Sequence, residues 1–209
     1  MKEADTSSSR GKPVAHDESR PIAAIVLLCV ALSGVYGILH DQITARICPA
    51  YFTLDHPSLG LPGLFHNPNP TVLGLAWGVV ATAPLATILG IGVACAARFG
   101  SWPKASWRQL LIPLILGLCA MGFSATLAGI WAFHTACSHG NPLSVAREYA
   151  VWRAHQTSYA GGTAVAFGIM IFLFFTPVSP KPNHRQTTYL NFFLSVDNKF
   201  ASFYNAKST

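Results

Sequence analysis

The chain has 209 residues, of which 51% are hydrophobic and only 11% charged, with a mean hydropathy of +0.39. A soluble domain averages about 25% charged residues, so this composition excludes an ordinary water-wetted globule and, for the bulk of the chain, disorder. The 14 basic and eight acidic residues give a net charge of +6, but they sit between long uncharged stretches. They therefore read as groups that orient the chain and touch anionic lipid, and nucleic-acid binding is not expected.

In chain order, residues 1–20 contain a triple serine, a glycine, a proline and mixed charges with almost nothing apolar, which predicts a disordered leader. Residues 21–39, PIAAIVLLCVALSGVYGIL, carry no charge. At about 1.5 Å rise per residue such a run reaches the roughly 30 Å of a hydrocarbon core. Ala31 and Ser33 before Gly34 resemble a signal-peptide cleavage site, but the leader is long and the apolar run continues to Leu39, so an uncleaved helix is expected. Further spans are expected at about 71–97, 109–133 and 156–177. Each run is continuously apolar, which favours a helix over the alternating strand of a membrane barrel. The fold class predicted is therefore all-α, a polytopic membrane protein with a bundle of four transmembrane helices over residues 21–180 and an outer polar loop cap.

Pro84 and Pro113 fall inside the second and third spans and should bend them. Gly74 with Gly78, and Ser124 with Ala128, form small-xxx-small pairs that mark close packing within the chain. In residues 181–209, Tyr189, Phe193, Val196, Phe200 and Phe203 recur at helical spacing, which fits an interfacial amphipathic helix or a loose aromatic tail.

Of the 14 basic residues, only Arg46, Arg147 and Arg153 fall on the side opposite the termini. By the positive-inside rule, both termini are then expected to be cytoplasmic. The partners expected are the lipid bilayer and either further copies of the chain or another membrane protein.

Six of the eight histidines, including His40, His134 and His155, fall at or beyond the outer helix ends. The first outer loop opens on HDQITARIC, His40 to Cys48, and then carries so many prolines that a long helix after Pro49 is excluded. In the second, Glu148, Trp152, His155 and Tyr159 are spaced to share a face of a helix begun by Pro142. Ionisable groups at this depth need partners or hydration.

Three readings stay open for His40, Asp41, Arg46, His134, Glu148, His155 and Tyr159. They can be a structural network with Asp41–Arg46 or Glu148–Arg153 ion pairs. They can be a pocket for a small ligand, proton or ion, in which Asp41 and Glu148 orient imidazoles and Arg46 meets an anion. Or His40, His134 and His155 can bind a transition metal or haem, with Asp41 or Glu148 as oxygen donor, although no HxxxH, HExxH or CxxC spacing supports a metal. No nucleophile with an adjacent base is recognisable, which disfavours an enzyme. A membrane scaffold that binds partner proteins is the alternative. Cys48 and Cys137, the two outer cysteines, are a candidate disulfide in an oxidising compartment.

The segment YGILHDQITARICPAYF, Tyr36 to Phe52, and the RAHxxSYxG pattern from Arg153 to Gly161 resemble a group of uncharacterised bacterial multi-pass membrane proteins. That group has an acidic residue before the Tyr-Phe pair, where this chain has Ala50. The resemblance implies a bacterial inner-membrane protein and supplies no activity.

Overall fold

The first apolar run does not stop at Leu39. In the computed structural model, which describes residues 18–99 and 104–175, α1 continues through HDQITARI and spans Ser19–Ile47. No helix breaker intervenes until Pro49, and the residue before it, Cys48, takes the extended backbone (φ −145°, ψ 86°) that a following proline favours. The short helices α2 (Pro49–Thr53) and α3 (Pro62–Phe65) follow in the proline-rich loop.

The second span is two helices, α4 (Pro70–Val80) and α5 (Ala83–Arg98), broken at Ala81–Thr82. Pro84 cannot donate to the carbonyl one turn earlier, so the helix yields there. The Thr82 hydroxyl repairs part of the loss by donating to the Gly78 carbonyl at 2.7 Å. Helix α6 (Trp107–Ser138) starts at a Ser106/Gln109 capping box and continues through Pro113. Helix α7 (Leu143–Phe175) follows Pro142 and begins well before the expected span at residue 156.

Four helices are long and apolar enough to cross a membrane: Ser19–Ile47, Pro70–Arg98, Trp107–Ser138 and Leu143–Phe175. No strand occurs among the described residues. Side chains such as Leu27, Val35 and Ile43 on α1, Phe123 and Leu127 on α6, and Ile171 and Phe174 on α7 are exposed. An apolar outer face of this extent suits hydrocarbon and not water, which is compatible with an integral membrane protein. Of the leader, Ser19 and Arg20 open α1; its first 17 residues and the aromatic tail lie outside the described residues.

Helix α1 packs on α4, α5 and α6, while α7 closes the ring against α5 and α6. Close approach of α1 to α4 depends on glycine. A Cβ on Gly37 would fall 2.1 Å from the Gly78 carbonyl oxygen, and one on Gly78 would fall 2.5 Å from the Ile38 nitrogen. A Cβ on Gly74 would fall 2.9 Å from the backbone of Asp41 and Gln42. The Gly74/Gly78 pair is thus an intramolecular seam, as expected. The Ser124/Ala128 pair is not one, because Ser124 is exposed. On α6 the buried small residues are Ala125, Gly129, Ala132 and Ala136, and on α7 they are Ala146, Ala150 and Ala154.

Two apolar cores result. One, near the end that carries Glu18 and Phe175, gathers Ile25, Val93, Leu110, Leu114 and Ile169. The other, at the loop end, gathers Ala45, Tyr51, Phe52, Phe65, Leu73, Trp77 and Val151, with the Trp77 indole donating to the Phe65 carbonyl at 3.2 Å. The proline-rich loop therefore folds back as a cap. At the opposite end Glu18 accepts from the Arg98 guanidinium at 2.8 and 2.5 Å and from Lys104, clipping the start of α1 to the end of α5.

Gly78→Ala is expected to force the α1–α4 seam apart and destabilise the protein by about 1–3 kcal/mol in denaturant unfolding in mild detergent. Gly34→Ala, where a Cβ meets nothing within 4 Å, should be neutral or stabilising by up to about 1 kcal/mol; equal effects from the two changes would refute the seam. The Lys104 and then the Arg98 hydrogen bonds hold the Glu18 carboxyl below the usual carboxylate value. A lowered folded-state value contributes stability above about pH 4.5, which is lost as pH falls through the folded-state value. The melting-temperature gap between the protein and Glu18→Gln should therefore be present at neutral pH and close in acid; a gap independent of pH contradicts the clip.

Candidate functional site

Extending α1 past Leu39 carries His40 and Asp41 into the bundle instead of leaving them at a helix end. Asp41 is only 4% exposed and His155, on α7, only 7%. His155 Nε2 and Asp41 Oδ1 lie 3.0 Å apart, joining residues 114 apart in sequence. The other ring nitrogen, Nδ1, is 2.9 Å from the Val151 carbonyl. A carbonyl can only accept, so Nδ1 donates, and one further proton lies in the Nε2–Oδ1 bond whichever partner formally holds it. Buried polar atoms without such partners would cost several kcal/mol.

His40 stacks edge to face on His155 with ring centroids 4.8 Å apart. Its Nδ1 is 3.5 Å from the Tyr36 hydroxyl, at the long limit of a hydrogen bond, and that hydroxyl is 2.7 Å from Ser158 Oγ. His40 Nε2 is buried and has no partner. One ligand-capable atom from each of His40, Asp41 and His155 lies within 4.8 Å of the others. The rings of Tyr51 and Phe52, from the cap, lie 4.8 and 5.6 Å from the His155 ring. Burial pushes the Tyr51 phenol up to about 12, so it stays neutral and able to donate.

A mainly apolar cavity of about 90 Å³ adjoins this cluster, and Tyr36, His40, Asp41, His155, Ser158 and Tyr159 are among the polar residues that line it. Ala81, Thr82 and Leu85 line it too, so the break between α4 and α5 helps to open it. His40 also lines a lateral groove of about 560 Å³ between α1, α6 and α7, with Arg46, His134 and Arg147. One imidazole therefore lines both the cavity and the side of the bundle.

The remaining candidates separate from this cluster. His134 is exposed and meets the groove, not the Asp41–His155 pair. Glu148 is exposed beside Tyr51, Asp55, Tyr149 and Trp152. It shares the His155 face of α7 but lies two turns, about 10 Å, nearer the loop end, where the bundle no longer covers that face. Arg46 is exposed and donates to Gln42 Oε1 at 2.7 Å and Thr71 Oγ1 at 2.9 Å. The Asp41–Arg46 ion pair does not form, because five residues on a helix turn two side chains to different sides. For the same reason Arg153 meets Gln156 at 3.1 Å and not Glu148.

Cys48 and Cys137 are free thiols. Cys48 is buried in the loop-end core with Tyr51 and Phe52, whereas Cys137 is exposed at the end of α6, so the expected disulfide is not formed. Haem does not fit between His40 and His155, whose rings touch and leave no slot for a porphyrin plane. The structural reading does hold for other histidines. His56 Nδ1 donates to the Tyr51 carbonyl at 2.8 Å, His66 Nε2 to the His56 carbonyl at 2.9 Å, and His139 Nδ1 to the Thr135 carbonyl at 2.7 Å.

Sequence reasoning missed Tyr36, Ser158 and Tyr51 as site residues. Tyr36 lies four residues before His40 and Ser158 three after His155, so helical spacing from the chosen histidines would have found both. Fold and site together define a helical protein with four helices long and apolar enough to cross a membrane and a buried His–Asp–His cluster under an aromatic cap. No family model, curated protein or solved structure matches the chain.

Removing one member of a buried pair leaves the other without a partner, so Asp41→Ala should destabilise by about 3–5 kcal/mol. Glu148→Ala, at an exposed position, should stay within about 0.5 kcal/mol. Comparable losses in detergent unfolding would show that the Asp41–His155 bond is not the one that holds the site.

Proposed function

We propose that the chain is an integral protein of the bacterial inner membrane, with cytoplasmic termini, whose outer end holds a buried pocket for a small ligand or ion. The observation that carries the pocket is His40. Its Nε2 is buried without a partner beside the Asp41–His155 bond, and His40 lines a mainly apolar cavity. Buried polar atoms are nearly always satisfied, so an unsatisfied one at a cavity points to something that binds there. A purely structural network would satisfy its own atoms, as His56, His66 and His139 do.

The charge bias supports the orientation: in the four-span reading of the sequence, only Arg46, Arg147 and Arg153 of the 14 basic residues are assigned to the side opposite the termini. The two segments that carry the resemblance, Tyr36 to Phe52 and Arg153 to Gly161, meet at this pocket through the Asp41–His155 bond. That meeting supports membership of the bacterial membrane group. The lateral groove gives a route inward, with His40 as its inner wall.

Thiol labelling tests pocket and orientation together. In a chain whose own cysteines are replaced, Ser158→Cys is expected to react with a small membrane-impermeant thiol reagent added outside spheroplasts and not with the same reagent confined inside vesicles of native orientation. Labelling only from the cytoplasmic side overturns the orientation. No labelling by any small reagent, even in detergent, overturns the pocket.

A further inference from the structure

We propose that His40, Asp41 and His155 bind one divalent transition-metal ion, of the zinc or ferrous class. This rests on the pocket reading above and names the occupant. Around a tetrahedral ion with bonds of about 2.0–2.1 Å, ligand atoms stand about 3.3 Å apart. His155 Nε2 and Asp41 Oδ1 are at 3.0 Å already. All three residues offer an atom within 4.8 Å of the others, so His40 needs to swing in by at most about 1.5 Å to close on an ion.

The second nitrogen of each ring strengthens the case. A ligating histidine usually gives its other N–H to an acceptor that fixes tautomer and ring angle. His155 does so through Nδ1 to the Val151 carbonyl. His40 can do so through Nδ1 to the Tyr36 hydroxyl, which Ser158 holds in turn. Both Nε2 atoms are then free to face the ion: that of His40 has no partner, and that of His155 meets the carboxylate. The ion takes the place of the proton in the His155–Asp41 bond, which is released on binding.

Two imidazoles and one carboxylate match zinc, ferrous and related ions, whereas magnesium and calcium prefer more oxygen donors. Three protein donors leave a further coordination position. The cavity lies beside it, with Ser158 and Tyr159 on its wall. The site is therefore of the open kind that receives water or a small ligand, and the Tyr51 and Phe52 rings cover it from the loop side.

The test uses the full chain in mild detergent, stripped with a chelator and titrated with Co²⁺, whose visible absorption reports coordination. One equivalent is expected to bind with the intense bands of a four- or five-coordinate site and to be displaced by Zn²⁺. His40→Ala, His155→Ala and Asp41→Asn should each weaken Co²⁺ binding about 100-fold or more, and Tyr36→Phe, which removes only the hydroxyl that orients His40, about tenfold with unchanged stoichiometry. His134→Ala and His139→Ala should leave binding as it was. No stoichiometric Co²⁺ in the unmodified chain overturns the proposal, as does a spectrum that survives His40→Ala with His155→Ala. The unmodified chain and Tyr36→Phe decide the matter even where a ligand variant does not fold. Ser158→Cys labelling without Co²⁺ binding would remove the metal and keep the pocket.

Discussion

A carboxylic acid on the first helix and an imidazole on the last meet inside an otherwise apolar bundle, and the loop end of the molecule is organised around that contact. Neither Asp41 nor His155 can be left alone at 4% and 7% exposure, because a buried polar group without a partner costs more than most packing contacts return. The bond thus ties α1 to α7, two helices with few other contacts between them. It also fixes the rotation of both helices, since the partner atoms must face each other within hydrogen-bond range.

Small residues make that geometry reachable. The Gly37–Gly78 and Gly74–Asp41 approaches bring α4 against the backbone of α1 just where the buried acid sits. Alanines along α6 and α7 let those helices lie equally close. Lipid tails are as apolar as a leucine core, so helices in a membrane gain from tight backbone approach more than from added hydrophobic bulk. Many large apolar side chains, such as Leu27, Val35, Phe123 and Phe174, accordingly point outward. The broken second span serves the opposite need. Pro84 opens space beside the cluster at Ala81 and Thr82, and a hydroxyl compensates the interrupted ladder.

Histidines that look alike in sequence divide into two kinds once the chain is folded. His56, His66 and His139 spend a ring nitrogen on a nearby carbonyl and hold loops in place. His40 and His155 meet edge to face beside a cavity: His155 gives Nδ1 to the Val151 carbonyl and turns Nε2 to Asp41, while His40 Nε2 is buried without a partner. Exposure makes the same division among the charged candidates: Arg46, His134 and Glu148 lie on the outside, and only Asp41 is drawn in.

By itself the sequence determined the four apolar helices, their order and the end at which ionisable groups collect, because hydrophobicity and charge are properties of a local window. It also marked His40, Asp41 and His155, since ionisable residues in apolar surroundings stand out one at a time. The tertiary structure decided which of them meet. Whether Asp41 pairs with Arg46 five residues away or with His155 across 114 depends on the rotation of one helix against another, and glycine contacts between distant segments set that rotation. The same holds for Cys48 and Cys137, which belong to the same end of the bundle but lie in different surroundings, one in the core and one exposed. Local pattern gives depth in the membrane; facing direction is a property of the packed bundle.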